Sequence, residues 1–297
     1  MTKTVEEYLD ALKQELKGSD NATIQDALAD AEEHLTTAFE SSRENQPDLD
    51  EEDALKQIIE QYGTPTETAA AYLEIERRTF PGLTTATAKE TGSPLGRFFS
   101  IYVDPRAWGS LLYMLIAFVT GIVYFTWAVT GLSLSVSFAI FIFGLPVALL
   151  FLLSVRGVIW LEGRLVEALL GVRMPRRQLF APQSTKLIER IKALVIDKHT
   201  WLSMLYMLLQ FALGTVYFVV LVTVFTFAAS FVALPILQEV LHVPVVQYAN
   251  GVDFFLPQWG YPLAVLGGVL LWTATMHLVK WVGGLHGRYA KALLVTG

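Results

Sequence analysis

The chain contains no cysteine, which excludes disulfides, thiol catalysis and thiolate metal sites. It is also short of charge. Asp, Glu, Lys and Arg make up 17% of its 297 residues, against about 25% in soluble domains. No HExxH pair, glycine-rich phosphate loop or GxSxG elbow occurs in the sequence, so the motifs that mark metallohydrolases, nucleotide enzymes and serine hydrolases are missing. The amino terminus, TKTVEEYLDALKQEL, is acidic and amphipathic rather than basic and then apolar, so it does not read as a signal peptide.

The missing charge is concentrated in one part of the chain. Residues 107–155 run for 49 positions without Asp, Glu, Lys or Arg, residues 199–238 for 40 and residues 254–279 for 26. A helix needs about 20 apolar residues to cross a hydrocarbon core, and a soluble core helix has no reason to be apolar on every face for so long. The chain therefore reads as an integral membrane protein. Residues 1–80 carry 7 Lys/Arg against 20 Asp/Glu, and residues 81–297 carry 15 against 8. Such an imbalance between halves signals two environments.

The acidic part has helical periodicity. Val5, Tyr8, Leu9, Leu12 and Leu16 share a stripe ended by Gly18. A second helix over 21–42 carries Ile24, Ala27, Leu28, Ala31, Leu35, Ala38 and Phe39. Asp50 caps a third, with Ala54, Leu55, Ile58, Ile59 and Tyr62. Gly63-Thr64-Pro65-Thr66-Glu67 then supplies a left-handed stop, an N-cap, a first-turn proline and a capping-box glutamate. A fourth helix runs to about Arg78. Residues 1–78 thus form a small helical domain, and the Thr-, Gly- and Pro-rich stretch 79–96 reads as a linker. His34 reads as a packing or capping group on its helix.

The features YLDALKQEL, AEEHL and EDALKQIIEQYGTPTETAAAYL resemble the helical signalling domain called HAAS, which includes the DUF1700 proteins, over about residues 3–76. In that family the module sits in membrane proteins, often beside PadR-type transcription regulators. The resemblance implies a cytoplasmic signalling partner of that kind and no direct contact with nucleic acid.

The membrane part writes one sentence twice. DPRAWGSLLYML at 104–115 returns as DKHTWLSMLYML at 197–208. At an offset of 93, Arg97 matches Arg190, Asp104 matches Asp197, Trp108 matches Trp201, Tyr113 matches Tyr206, Gly121 matches Gly214 and Tyr124 matches Tyr217. At an offset of 124, Arg156 pairs with Lys280, and Gly163-Arg164 with Gly287-Arg288. We read this as a duplication: repeat 1 over 97–171, a cytoplasmic connector over 172–189, and repeat 2 over 190–297 with an extracytoplasmic insertion at about 236–259. Pro235 leaves open whether residues 224–236 prolong the third span or re-enter the membrane.

Segment 156–198 carries 9 Lys/Arg against 4 Asp/Glu, whereas the turn near 130–135 has no charge and residues 236–259 have none that is positive. Positive residues stay inside, so the expected placement is the cell membrane with both termini and the connector cytoplasmic. Two spans per unit then predict units that point the same way. The expected fold class is all-α: a small cytoplasmic bundle plus a four-span membrane bundle of two parallel repeats.

Lipid tails give no reward for burying leucine, so packing faces use small and polar residues. Tyr113, Ala117, Gly121 and Tyr124 share one face, and Tyr206, Gln210, Gly214 and Tyr217 another. Both faces are expected at the bundle centre, where Tyr113, Tyr124, Tyr206, Gln210 and Tyr217 either pack or wall a ligand pocket. The stretches WLEGRLVEALLGV and STKLIERIKALVIDK are expected on the inner leaflet, drawn by anionic membrane lipids. Arg173, Arg176, Arg177, Arg190 and Lys192 are candidates for lipid contact or for receiving the acidic module.

DPRAWGSLLYML, the GLP at 144–146, LEGRLVEALLGVRMP and DKHTWLSMLYMLLQFALGTVYF together resemble the sensor domain found ahead of bacterial histidine kinases, over about residues 97–295. The departure is that no kinase is present and a helical module precedes the spans. The resemblance implies a sensor or regulatory role rather than phosphotransfer. His277, inside the last apolar segment, reads as a packing group. With no paired acids or polar path evident in the spans, an enzyme is not expected, nor a cofactor or metal. A transporter or lipid-handling accessory protein is the alternative, and homo-oligomerisation is left open.

Overall fold

The computed structural model describes residues 4–45, 51–79, 93–138, 141, 144–176, 187–247 and 251–295. Four helices make the amino-terminal bundle: α1 (Val5–Glu15), α2 (Asn21–Asn45), α3 (Glu51–Tyr62) and α4 (Pro65–Thr79). Thr4 caps α1 by accepting from the Glu7 amide at 3.1 Å. Asp20 Oδ1 accepts from the Ala22 amide at 2.8 Å at the start of α2. Gly63 takes a φ of 110°, the left-handed residue that ends α3. The capping box at α4 forms: the Thr64 amide donates to Glu67 Oε2 at 2.9 Å, and the Glu67 amide to Thr64 Oγ1 at 3.4 Å. The expected cap Asp50 lies outside the described residues.

Tyr8, Leu12, Leu16, Ala27, Ala31, Leu35, Ile58 and Ala69 form the core of this bundle. Each buried leucine contributes about 1.5–3 kcal/mol. The Tyr8 hydroxyl donates to the Gly63 carbonyl at 2.8 Å and lies 3.0 Å from Thr68 Oγ1, so α1 is pinned to the α3–α4 corner. His34 stacks on Tyr62 with ring centroids 4.6 Å apart, a packing role.

Of the expected linker, residues 80–92 lie outside the described residues. From Ser93 the chain is already ordered as the short helix α5 (Pro94–Phe99), capped by Ser93 Oγ on the Gly96 amide. Four long helices follow: α6 (Pro105–Phe138), α7 (Gly144–Leu170), α9 (Lys198–Glu239) and α10 (Tyr261–Leu294), with the shorter α8 (Leu187–Ile196) between the second and third. All four are long and apolar enough to cross a membrane. Among the described residues the fold is all-α apart from a two-stranded ribbon, β1 (Val246–Gln247) with β2 (Asp253–Phe254), in the α9–α10 connection.

One open alternative is resolved and two expectations are corrected here. First, α9 runs unbroken through Pro235 to Glu239, so residues 224–236 prolong the third span and the insertion begins as helix. Second, WLEGRLVEALL is not a separate interfacial helix but the continuation of α7 to Leu170. Gly171, at a φ of 66°, ends it, and the chain folds back. Met174 then packs beside Gly163, and Arg164 Nη2 donates to the Met174 and Pro175 carbonyls at 3.1 and 2.6 Å.

Third, the two hairpins are not parallel. α6 and α7 pair antiparallel, with Gly131 against the Phe151 ring and Gly109 against the Leu169 carbonyl. α9 and α10 do the same, with Phe225 on Trp272 and Tyr206 on Tyr289. Between hairpins, α6 and α9 also run antiparallel: Trp108 and Leu111 near the start of α6 face Phe225 late in α9, whereas Tyr124 and Ala128 late in α6 share a cluster with Met204 and Met207 early in α9. The crossing is made by glycine. A Cβ at Gly121 would stand 2.7 Å from the Gln210 carbonyl oxygen, and one at Gly214 would stand 2.3 Å from that of Ala117. A stripe of small residues permits close approach in either direction, and periodicity carries no polarity. The α6–α7 and α9–α10 turns consequently lie at opposite ends of the bundle.

Candidate functional site

At the crossing of the four long helices is a buried polar cluster built around Glu162 of α7, which is wholly buried. Its Oε1 accepts from the Tyr113 hydroxyl at 2.5 Å and the Tyr206 hydroxyl at 2.8 Å, with Gln210 Nε2 at 3.4 Å. Its Oε2 accepts from the Tyr124 hydroxyl at 2.9 Å. A buried carboxylate without a partner costs several kcal/mol; here α6 and α9 turn three hydroxyls and an amide onto it. Facing it on α10 is His286, also buried. His286 Nε2 lies 2.7 Å from the Tyr113 hydroxyl and 3.3 Å from that of Tyr206, and Nδ1 lies 3.0 Å from that of Tyr217. Gln210 Nε2 donates to the Tyr113 hydroxyl at 3.1 Å.

All five expected central residues, Tyr113, Tyr124, Tyr206, Gln210 and Tyr217, are in this network. Glu162 and His286 were not foreseen, and the expectation that the spans hold no polar path is overturned. Glu162 sits between Arg164 and Glu167 on one side and apolar sequence on the other, which makes it look interfacial. Helical geometry turns Glu162, Gly163 and Val166 inward, while Arg164 and Glu167 pair with each other at 2.5 Å. The sequence did hold a signal: the offset of 124 sets Glu162 of LEGRL on His286 of LHGRY.

Positions related by the two offsets make reciprocal contacts. Tyr124 bonds Glu162, and Tyr217 bonds His286. Asp104 pairs with Lys280 at 2.6 Å, and Asp197 with Arg156 at 3.0 Å, so each acid holds a base of the other hairpin. Asp104 sits outside the spans. Partial burial works to raise its carboxyl, but the bond from Lys280, the Arg106 amide and both neighbouring cations outweigh it and hold the group below its ordinary range. Trp108 Nε1 donates to the Tyr102 carbonyl at 2.9 Å and Trp201 Nε1 to that of Val195 at 2.8 Å. His277 stacks on Phe98 and meets its carbonyl at 2.9 Å, a packing role.

A second arrangement joins the two parts of the chain. Asp26 of α2 accepts from the Arg176 backbone amide at 2.6 Å and lies 3.7 Å from Arg173 Nη2. Lys291, near the end of α10, pairs with Asp20. Arg173 and Arg176 thus meet the acidic module. Lys192 is exposed on α8, whose Leu194 and Ile191 pack with Val155 of α7. Arg177 and the Arg190 side chain lie outside the described residues. The docking residues adjoin the buried cluster: Met174, between Arg173 and Arg176, covers Gly163 beside Glu162, and Lys291 is five positions from His286 on one helix.

The chain thus combines an apolar helical bundle, which holds a buried acid–histidine network, with a docked helical module. Among known families, residues 113–294 match the one described as "Putative sensor", and residues 7–71 match HAAS. The chain belongs to that sensor family and carries a HAAS module ahead of it. No curated protein and no solved structure matches the chain.

Proposed function

We propose that the chain is a non-enzymatic sensor of the cell membrane that passes a signal to a cytoplasmic partner by changing how its HAAS module docks. The observation that carries this reading is the clamp of Asp20 and Asp26 on Lys291, Arg173 and Arg176. It ties the module to Lys291, five positions from His286, and to the segment whose Met174 packs beside Gly163, next to Glu162. Asp26 and Arg173 each keep only 10% of their side chains exposed, and charged pairs of this kind are strengthened by exclusion of water and weakened by salt. A PadR-type regulator suits the partner role by resemblance of the module.

The docking also supports placing both termini on one side, since the module meets Lys291 six residues from the end of the chain. The α9–α10 connection lies about 45 Å away along α10 at 1.5 Å per residue, toward the end of the bundle where α6 begins, since Tyr102 bonds Thr273 and Phe98 meets His277. Membrane lipids complete the environment of the exposed apolar helix faces.

Carbodiimide coupling tests the reading, because it joins a carboxylate to an amine only in direct contact. In the full-length protein in nanodiscs, an Asp20–Lys291 crosslink is expected, weakened by Arg173→Glu and by high salt, with recovery of the partner regulator changing in step. An Asp20–Lys291 yield indifferent to Arg173 and to salt would remove the docking basis of the reading. The buried polar network favours a second reading, a proton-linked transporter; substrate flux in proteoliposomes, lost in Glu162→Gln, would support that one instead.

A further inference from the structure

The hydrogen-bond chain at the bundle centre has a proton count that constrains it. Each of the tyrosines has one proton. With Glu162 ionised, Tyr113 and Tyr206 donate to Oε1 and Tyr124 to Oε2. His286 Nε2 must then supply the proton it shares with Tyr113 at 2.7 Å. A buried carboxylate beside an imidazolium is a compensated pair, whereas either charge alone in a water-poor interior is expensive. The nearby cations are engaged with other acids: Arg164 pairs with Glu167, Arg173 with Asp26, and Arg156 with Asp197.

A second arrangement has the same number of protons. Glu162 Oε1 keeps a proton and donates it to the Tyr113 oxygen, Tyr113 donates to His286 Nε2, and Nδ1–H donates to Tyr217 at 3.0 Å. The two interconvert by a paired shift. The Glu162 O–H bond breaks as its proton passes to the Tyr113 oxygen. The original Tyr113 O–H bond breaks as its proton passes to His286 Nε2, so Tyr113 ends, as it began, with one O–H bond. Distances of 2.5 and 2.7 Å are those of strong, charge-assisted bonds.

We propose that the Glu162–Tyr113–His286 chain is a proton-binding site, in which carboxyl and imidazole take up one proton as a pair through the Tyr113 hydroxyl. The titratable groups facing it are Tyr113 and Tyr124 from α6, Tyr206 and Tyr217 from α9, and Tyr289 from α10, with neutral Gln210 beside them. An ionisable group inside the spans marks function by default, and here the two positions related by the offset of 124 hold an acid and a base. The proton then becomes the stimulus of the sensor; only that consequence rests on the docking reading.

The test is a pH series on the full-length protein in nanodiscs, following the protonated-carboxyl infrared band and the nitrogen resonances of the labelled His286 imidazole. A band that appears as pH falls, vanishes in Glu162→Gln and shares its midpoint with the imidazole is expected. Tyr113→Phe keeps the ring and removes the shorter of the two bridges, leaving the Tyr206 hydroxyl at 2.8 and 3.3 Å, so the two midpoints should part by about one pH unit or more. No carboxyl band anywhere in the series, or midpoints that Tyr113→Phe leaves unchanged, would overturn the proposal. The Asp20–Lys291 crosslink in the same samples keeps the two ideas apart. A titrating band with an unchanging crosslink upholds the proton site and removes the docking reading. An Arg173-dependent crosslink with no band does the reverse.

Discussion

Glu162 and His286 stand 124 positions apart and meet most closely at the Tyr113 hydroxyl, 2.5 Å from the carboxylate and 2.7 Å from the imidazole. Tyr206 lies 2.8 Å from the carboxylate and 3.3 Å from the imidazole, at the position matching Tyr113 in the second copy. The site is therefore shared by both hairpins.

Removing the carboxylate strands three hydroxyls. A buried polar group left unpaired costs about 1–3 kcal/mol, so Glu162→Ala should lower the thermal midpoint in detergent well below that of Glu162→Gln, which keeps an acceptor of similar shape. Equal midpoints for the two variants would contradict the network.

The crossing of α6 and α9 has a direction, and the cysteine-free chain makes it measurable without background thiols. Leu111→Cys with Phe225→Cys should form a disulfide on oxidation, because both residues line the groove between α6 and α9. Leu111→Cys with Met204→Cys, the pair that parallel packing would align, should not. Bulk at the crossing should also act: Gly121→Leu or Gly214→Leu meets the facing backbone and should abolish the Leu111–Phe225 disulfide.

Much of this protein was legible as pattern. The stripe of Tyr8, Leu12 and Leu16 gave α1, and Gly63 to Glu67 gave the corner before α4 down to its capping bonds. The charge-free runs gave the spans, and the small-residue faces gave Tyr113, Gln210 and Gly214 at the centre. What was hidden needed three dimensions. Hairpin direction depends on which end of α9 meets Trp108, and no periodicity carries that. Glu162 was hidden by neighbours whose charges are satisfied on another face of the same helix. Pro235 was ambiguous because a proline removes one amide but does not dictate whether a long apolar helix yields.

Acid should loosen two points outside the spans. The Thr64 backbone amide and then its hydroxyl hold the exposed Glu67 carboxyl below the usual range. A carboxyl lowered on folding stabilises at pH above its unfolded value, and that contribution disappears as pH falls through the folded one. Asp104, lowered against the effect of burial by Lys280 and Arg106, follows the same sign. Amide exchange at the start of α4 should rise in acid in the wild type and lose that dependence in Glu67→Gln; an unaltered dependence would exclude the capping box as its cause.

The Asp104–Lys280 and Asp197–Arg156 pairs each tie one hairpin to the other. Partly exposed pairs contribute about 0–1 kcal/mol, so Asp104→Asn alone should change stability little. The double reversal Asp104→Lys with Lys280→Asp should restore whatever is lost. A loss that the reversal does not repair would show that Asp104 acts chiefly as the cap of α6, where it accepts from the Arg106 amide at 2.9 Å.

The central claim is that the buried cluster governs module docking, and the most direct measurement is the yield of the Asp20–Lys291 crosslink in Tyr113→Phe and Glu162→Gln beside the wild type. Neither substitution touches the clamp. A changed yield is expected in both variants with α6–α9 disulfide formation retained; a yield identical to wild type in both would show that the buried cluster and the clamp are independent.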